Sequence, residues 1–242
     1  MQATPAKTVV VIGASGAIGQ AITKLCAEDL DTQVFAFSRS KRRFEQQNLI
    51  SGYIDFDDEQ TLENTASLVR EKGEPNMVFI TTGILHEGTL QPEKSISQLS
   101  QDHMTHVMTA NTIGPALALK HFLPIMPRKS PYLIAALSAR VGSISDNGLG
   151  GWYSYRASKA ALNMIIKTTS IEAQRKNKQS TIIGLHPGTV DSALSEPFQK
   201  NVAEDKLFTP EFSAEKLVSV AHQLTPADTG KCFAWDGQLI EP

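Results

Sequence analysis

Short apolar runs alternate with helically spaced apolar positions along this chain, and the alternation predicts its fold. Lys7-Thr8-Val9-Val10-Val11-Ile12 is a β-branched run, the pattern of a strand covered on both faces in a parallel sheet. It stops at Gly13, and the apolar positions of Gln20 to Cys26 then recur at helical spacing. Further strands are predicted at Gln33–Phe37, within Asn48–Ile54, and at Asn76–Gly83, Pro131–Ser138, Ser180–Pro187 and Lys231–Trp235. Helices are predicted through Leu62, Leu68 and Val69, over most of Ser97–Met126, from Trp152 to Lys176 and from Ala214 to His222. The second of these is interrupted around Asn111-Thr112-Ile113-Gly114-Pro115, residues that cost stability inside a helix. Such alternation predicts an α/β, doubly wound, mainly parallel seven-stranded sheet with helices on both faces.

With 242 residues, 41% hydrophobic and 20% charged, the chain is expected to bury one substantial core as a single domain over 1–242. The mixed stretch from about 192 to 212, with Pro197, Phe198, Leu207, Phe208 and Pro210, reads as a lid or binding loop. A net charge of -2 gives no general attraction to nucleic acid or anionic membranes, and only Arg39 to Arg43 form a basic run. Cys26 and Cys232 are isolated in apolar segments, so neither a disulfide nor a metal is indicated and a reducing compartment is expected. His103, His106, His121 and His186 lack metal-ligand company and are expected at the surface or in caps. No apolar run approaches ~18 residues and no signal core opens the chain, so the expectation is a cytoplasmic protein without a membrane partner.

Gly13-Ala14-Ser15-Gly16-Ala17-Ile18-Gly19 joins the first strand to the first helix. Glycines in such a turn let the backbone approach a pyrophosphate, while the free N–H groups of the helix N-terminus face its charge. The second strand ends at Ser38-Arg39, where in a dinucleotide-binding unit an arginine accommodates a ribose 2′-phosphate. Without the glycine turn, a solvated basic loop would account for the same residues. Tyr155 and Lys159 stand one turn apart on one helical face, so a phenol and an ammonium reach the same small molecule. A free tyrosine titrates at about 10, and a cation at ~4 Å in an effective dielectric of ~20 supplies about 4 kcal/mol, enough to bring it to about 7. Taken alone, the pair would equally suit an ordinary amphipathic helix.

The glycine turn, Asn111, Tyr155-Arg156-Ala157-Ser158-Lys159 and Pro187-Gly188-Thr189-Val190-Asp191-Ser192 resemble, in order and spacing, the classical short-chain dehydrogenase/reductase family. The run from Ser138 to Asn163 is similar to its C-factor branch, which includes sniffer-like carbonyl reductases. The resemblance implies a Rossmann-type fold and an NADP(H)-dependent oxidoreductase that moves a hydride between nicotinamide and a carbonyl or secondary alcohol. Tyr155 would be the proton donor and acceptor, Lys159 would lower its pKa and bind the nicotinamide ribose, and Asn111 would hold the helix irregularity and a water. Gly13, Ser15, Gly16, Ile18 and Gly19 would line the pyrophosphate and adenosine side. Arg39 would favour NADPH over NADH, Asp55 would meet the adenine, and Gly83 would pass close to the cofactor. Pro187, Gly188, Val190 and Ser192 would contact the nicotinamide end. The family also implies a homodimer or homotetramer through the two long helices, where Leu162, Ile165 and Ile166 could serve core or interface.

Three departures stand out. Ala17 replaces the middle glycine of the turn, and Ile80-Thr81-Thr82-Gly83 replaces Asn-Asn-Ala-Gly. The third is Ala139, at the position of the family's catalytic serine, three residues before Gly142. Losing one such donor costs about 10²- to 10³-fold in rate. Ser138 is the first replacement, provided the strand ends or bulges there, because adjacent side chains of a regular strand face opposite ways; Ser143 is the second. The alternative function is a catalytically weak nucleotide-binding signalling or regulatory protein of C-factor type. The Phe, Leu and Pro content near residues 194–212 suggests an apolar aldehyde or ketone as substrate.

Overall fold

The computed structural model describes residues 7–40, 44 and 46–242, so Lys41, Arg42 and Arg43 of the expected basic run lie outside the described residues. Its central sheet contains β1 (Lys7–Ile12), β2 (Thr32–Ser38), β3 (Leu49–Tyr53), β4 (Met77–Ile80), β5 (Tyr132–Leu137), β6 (Ser180–His186), β9 (Cys232–Ala234) and β10 (Leu239–Ile240). Their order is β10-β9-β6-β5-β4-β1-β2-β3, and every neighbouring pair is parallel except β9 and β10. The remaining two strands, β7 (Thr189–Val190) and β8 (Leu207–Phe208), pair with each other apart from this sheet.

The sheet therefore has eight strands where seven were expected. Two-residue β10 carries too little apolar pattern to be read; a turn through Gly237 at φ +82° folds it back onto β9. Strand β4 is also shorter than expected and ends at Ile80, leaving Thr81, Thr82 and Gly83 outside the ladder.

Helices α1 (Ala17–Ala27), α2 (Glu59–Lys72), α3 (Gln101–Met108), α4 (Gly114–Phe122), α5 (Tyr153–Lys176) and α6 (Pro210–Gln223) cover the two faces. The period of two within each strand divides the core. Val10, Ile12, Phe35 and Phe37 pack with Leu62, Phe122, Leu162 and Ile166 on one side. Val9, Val11, Phe79 and Leu185 pack with Ile22 and Leu217 on the other. That double covering is why β1 reads as an unbroken apolar run. It also assigns Leu162 and Ile166 to the core, with Ile165 partly buried against it.

The helical interruption is a single π turn, Thr109–Ile113, between α3 and α4. Such an insertion re-aims one residue, and here Asn111 is fully buried. Gly114 follows because the ring of Phe56 occupies the space a Cβ would need. Asp58 accepts from Gln60 N at 3.2 Å and starts α2. Among the described residues, no helix is long and apolar enough to cross a membrane.

Candidate active site

Strand order reverses between β1 and β4, and the loops leaving β1, β2, β4, β5 and β6 gather at the carboxyl ends of the strands, where open α/β sheets bind ligands. Two cavities, of about 400 and about 300 Å³, open here and share Thr81, Thr82 and Gly83 as a common border. Gly13, Ser15, Gly16, Arg39 and Asp55 border the first. The second has Ile18, Ser138, Tyr155 and Lys159 on its walls, with Pro187, Gly188, Val190 and Ser192.

The turn after β1 is fixed by close packing. Gly13 adopts φ +92°, and a Cβ on it would stand 2.8 Å from Thr81 Oγ1. A Cβ on Gly19 would collide with the Gly13 carbonyl. Gly16 is extended and has room for a side chain, so Gly13 and Gly19 are the sterically required pair and Ala17 begins α1 without conflict. The first turn of α1 has no acidic side chain and presents the free N–H groups that suit an anion. Thr81, at the second position of the segment that replaces Asn-Asn-Ala-Gly, donates from N and Oγ1 to the Ile12 carbonyl at 2.7 and 2.9 Å. Thr82 Oγ1 is buried and finds no hydrogen-bond partner among the described residues. Arg39 is exposed at the far end, and Asp55 there accepts from Tyr53 OH at 2.9 Å. A glycine cradle, a helix N-terminus and an unpartnered hydroxyl fit a phosphate-bearing dinucleotide.

In the second cavity, Lys159 is 3% exposed and donates from Nζ to the Leu137 carbonyl at 2.8 Å. The same Nζ lies 5.8 Å from the ring centroid of Tyr155. Burial pulls Lys159 down to about 8 and pushes Tyr155 up to about 12. The fall of Tyr155 to about 7 expected from a 4 Å ion pair is thus absent: the ammonium is bound to a backbone carbonyl, and desolvation of the phenolate prevails. Tyr155 is a protonated phenol at neutral pH. Asn111 donates from Nδ2 to the Ile84 carbonyl at 2.9 Å and to Ser158 Oγ at 3.1 Å, and its Oδ1 accepts from Ile84 N at 2.8 Å. A Cβ on Gly83 would stand 3.4 Å from both Asn111 Oδ1 and Lys159 Nζ, so Gly83 lies where these two side chains converge.

The two serines offered in place of Ala139 are both engaged. Strand β5 ends at Leu137, one of the two conditions set for Ser138, which lines the cavity; but with Ala139 extended at φ -152°, ψ 148°, Ser138 Oγ donates to Asn163 Oδ1 of α5 at 2.6 Å. Ser143 Oγ accepts from Asp146 N at 3.1 Å, and Ser143 is not a wall of the cavity.

Apolar side chains close the outer wall. Trp152 takes the left-handed conformation, φ 52°, and its ring lies 6.1 Å from Tyr155 and 5.1 Å from Phe198. The segment between β7 and β8 is held against this wall by His86, whose Nε2 pairs with the Ala193 carbonyl at 2.9 Å and whose ring lies 5.8 Å from Phe198.

A family model described as short chain dehydrogenase matches residues 7–203. The chain belongs to the short chain dehydrogenase family. C-signal of Myxococcus xanthus is 30% identical to it over 137 residues, 57% of this chain and 77% of that one. NADPH-bound carbonyl reductase from chicken fatty liver superposes with a TM-score of 0.82 at 24% identity, covering 98% of this chain and 99% of that one. Carbonyl reductase Sniffer of D. melanogaster superposes at 0.80 with 19% identity and the same coverage. Both solved structures share the fold of this short chain dehydrogenase.

Five features of this short chain dehydrogenase's site escaped the sequence reading. Glu93, 2% exposed, caps α5 from 61 residues away: its carboxylate accepts from Ser154 N at 3.1 Å and from Ser154 Oγ, and its backbone carbonyl accepts from Trp152 N at 2.5 Å. Burial raises the Glu93 carboxyl, but the bonds from Ser154 and the charge of His103 outweigh it and hold the group below its ordinary value. His103, expected at the surface or in a cap, is buried with Nδ1 3.4 Å from Glu93. His186, also expected at the surface or in a cap, ends β6 and lines the second cavity. Trp152 and Thr82 complete the set. Only His186 and Thr82 had a local signal, being adjacent to Pro187-Gly188 and Gly83.

Proposed function

We propose that this protein is an NADP(H)-dependent carbonyl reductase, acting as one domain over residues 1–242 with the stretch from about 192 to 212 closing over the substrate. The observation that carries this reading is the Tyr155–Lys159 pair in a cavity that borders the glycine-turn cavity through Thr81, Thr82 and Gly83. The cofactor, when bound, supplies the hydride. Gly13, Ser15, Gly16, Ile18 and Gly19 hold its pyrophosphate side, Asp55 its adenine, and Pro187, Gly188, Val190 and Ser192 its nicotinamide end. Arg39 pairs with the 2′-phosphate; NADPH in the chicken carbonyl reductase supports that choice.

Tyr155 gives its proton to the substrate oxygen as the carbonyl becomes an alcohol. The phenol holds that proton at neutral pH, and burial makes it a weaker acid, so its transfer depends on the cation beside it. Lys159 stabilises the phenolate left behind and binds the nicotinamide ribose, and Asn111 fixes the π turn behind Gly83. Trp152, Phe198 and Leu85 make the substrate wall apolar, which favours aromatic and aliphatic ketones or aldehydes over sugars. We place the protein in the cytoplasm as a homodimer or homotetramer.

Ala139 and the similarity to C-signal favour a second reading, a nucleotide-binding regulator with little turnover. A carbonyl panel with NADPH and NADH separates the two. The reductase oxidises NADPH with apolar ketones, binds NADPH more tightly than NADH by roughly tenfold to a hundredfold, and loses most of that preference in Arg39→Ala. Tight NADPH binding without turnover of any carbonyl would leave the regulatory reading standing.

A further inference from the structure

The site as described has a gap. A carbonyl polarised only by Tyr155 lacks the second donor that the serine gives in the family this chain resembles, and Ala139 has no donor to offer. Ser138 spends its hydroxyl on Asn163 and Ser143 lies outside the cavity. Other polar walls are also occupied: Ser192 and Ser195 donate to the Val190 carbonyl, and Arg140, half exposed, faces Asp146 at 3.6 Å. Thr82 is unpartnered, but it borders both cavities and packs against Gly13, on the side assigned to the dinucleotide.

His186 differs from all of these. It is the last residue of β6, immediately before Pro187, and it lines the same cavity as Tyr155 and Lys159. Its Nδ1 is shut away from solvent with no hydrogen-bond partner among the described residues. A molecule in the cavity cannot touch an atom with no accessible surface, so the ring nitrogen available to it is Nε2, which makes no hydrogen bond among the described residues. Burial, reinforced by Arg140 and opposed by Asp236, pulls the ring down to about 4. The imidazole is therefore neutral at pH 7, with one N–H to give, and a neutral imidazole is a known type of carbonyl polariser.

We propose that His186 donates, from its ring N–H, the hydrogen bond to the substrate carbonyl oxygen that Ala139 cannot make. The inference rests on the reductase reading. The imidazole keeps its proton throughout: the oxygen of the product alcohol is protonated by Tyr155, and the new C–H bond takes its hydride from the cofactor. His186 steadies the negative charge that builds on the oxygen between those two events.

Three variants and one spectrum test this. His186→Leu removes the donor and is expected to lower kcat/KM for an apolar ketone by about 10²- to 10³-fold, while NADPH affinity by fluorescence titration stays within about twofold. His186→Gln keeps an N–H and is expected to retain more turnover than the leucine variant. Adding Ala139→Ser to His186→Leu is expected to restore at least about tenfold, because the serine hydroxyl would return a donor to the same oxygen. Turnover of His186→Leu within threefold of the unmodified protein, or no recovery with Ala139→Ser, would overturn the proposal. Independently of turnover, benzil added to the cofactor-free protein should shift the ring ¹⁵N resonances of His186. Unmoved resonances at saturating benzil would also overturn it, even if the chain reduces carbonyls. Failure of the unmodified protein to reduce any carbonyl would instead sink the reductase reading, and the spectrum alone would then decide the role of His186.

Discussion

Tyr155 and Lys159 are driven in opposite directions by one cause, loss of water around groups whose charged forms need it. Their roles separate by mutation. Tyr155→Phe keeps the ring and removes the proton, so turnover should fall by orders of magnitude while NADPH affinity barely changes. Lys159→Ala should weaken both, because it removes the cation beside the phenol and the proposed ribose contact. Intact turnover in Tyr155→Phe on an accepted ketone would return the tyrosine to a structural role. His186 makes a second prediction at this scale. Its folded pKa of about 4 lies below the ordinary 6.5, so between those values the unfolded chain binds a proton that the folded chain refuses. Stability should therefore fall as pH drops from 6.5 to 4, by up to about 3 kcal/mol from this group. Urea denaturation across that window should show a shallower loss in His186→Leu, and equal slopes in the two proteins would contradict the assignment.

Helix α5 carries the reacting pair, and its N-terminus is built without a local cap. Gly150, Gly151 and Trp152 all have positive φ, a turn that aims the helix and puts the Trp152 ring beside Tyr155. Glu93 supplies the missing cap from the loop after β4, and a carboxylate at a helix N-terminus also meets the favourable end of the dipole. Glu93→Ala would leave Ser154 and His103 unpaired in a buried site. We expect a loss of about 2 kcal/mol in stability, a melting temperature lower by several degrees, and reduced turnover as Tyr155 loses its fixed position. Unchanged melting and turnover would show that α5 holds itself.

For the whole molecule, the two sheet faces are covered and the exposed apolar positions of α5 have no partner among the described residues. Met164 is 66% exposed and Ile171 47%, and seven residues apart they share one stripe. We expect that stripe to be covered in a homodimer, with sedimentation at micromolar concentration giving twice the chain mass. Glu at both positions should give the monomer. A monomeric unmodified protein would rule this assembly out.

The sequence by itself determined the parallel sheet, because continuous β-branched runs are stable only where both faces are covered, and the motif order, because each motif sits at a strand end or on one helix turn. Gly13, Asn111, Tyr155, Lys159 and Pro187 were legible for that reason. The tertiary structure alone decided what crosses between distant segments: Glu93 capping α5, the engagement of Ser138 with Asn163, and the gathering of Trp152, His86 and Phe198 into one wall. It also decided the charge states, since the water lost by Tyr155, Lys159 and His186 depends on every element packed around them. Local spacing fixes which side chains share a face; only packing fixes their solvent and their partners.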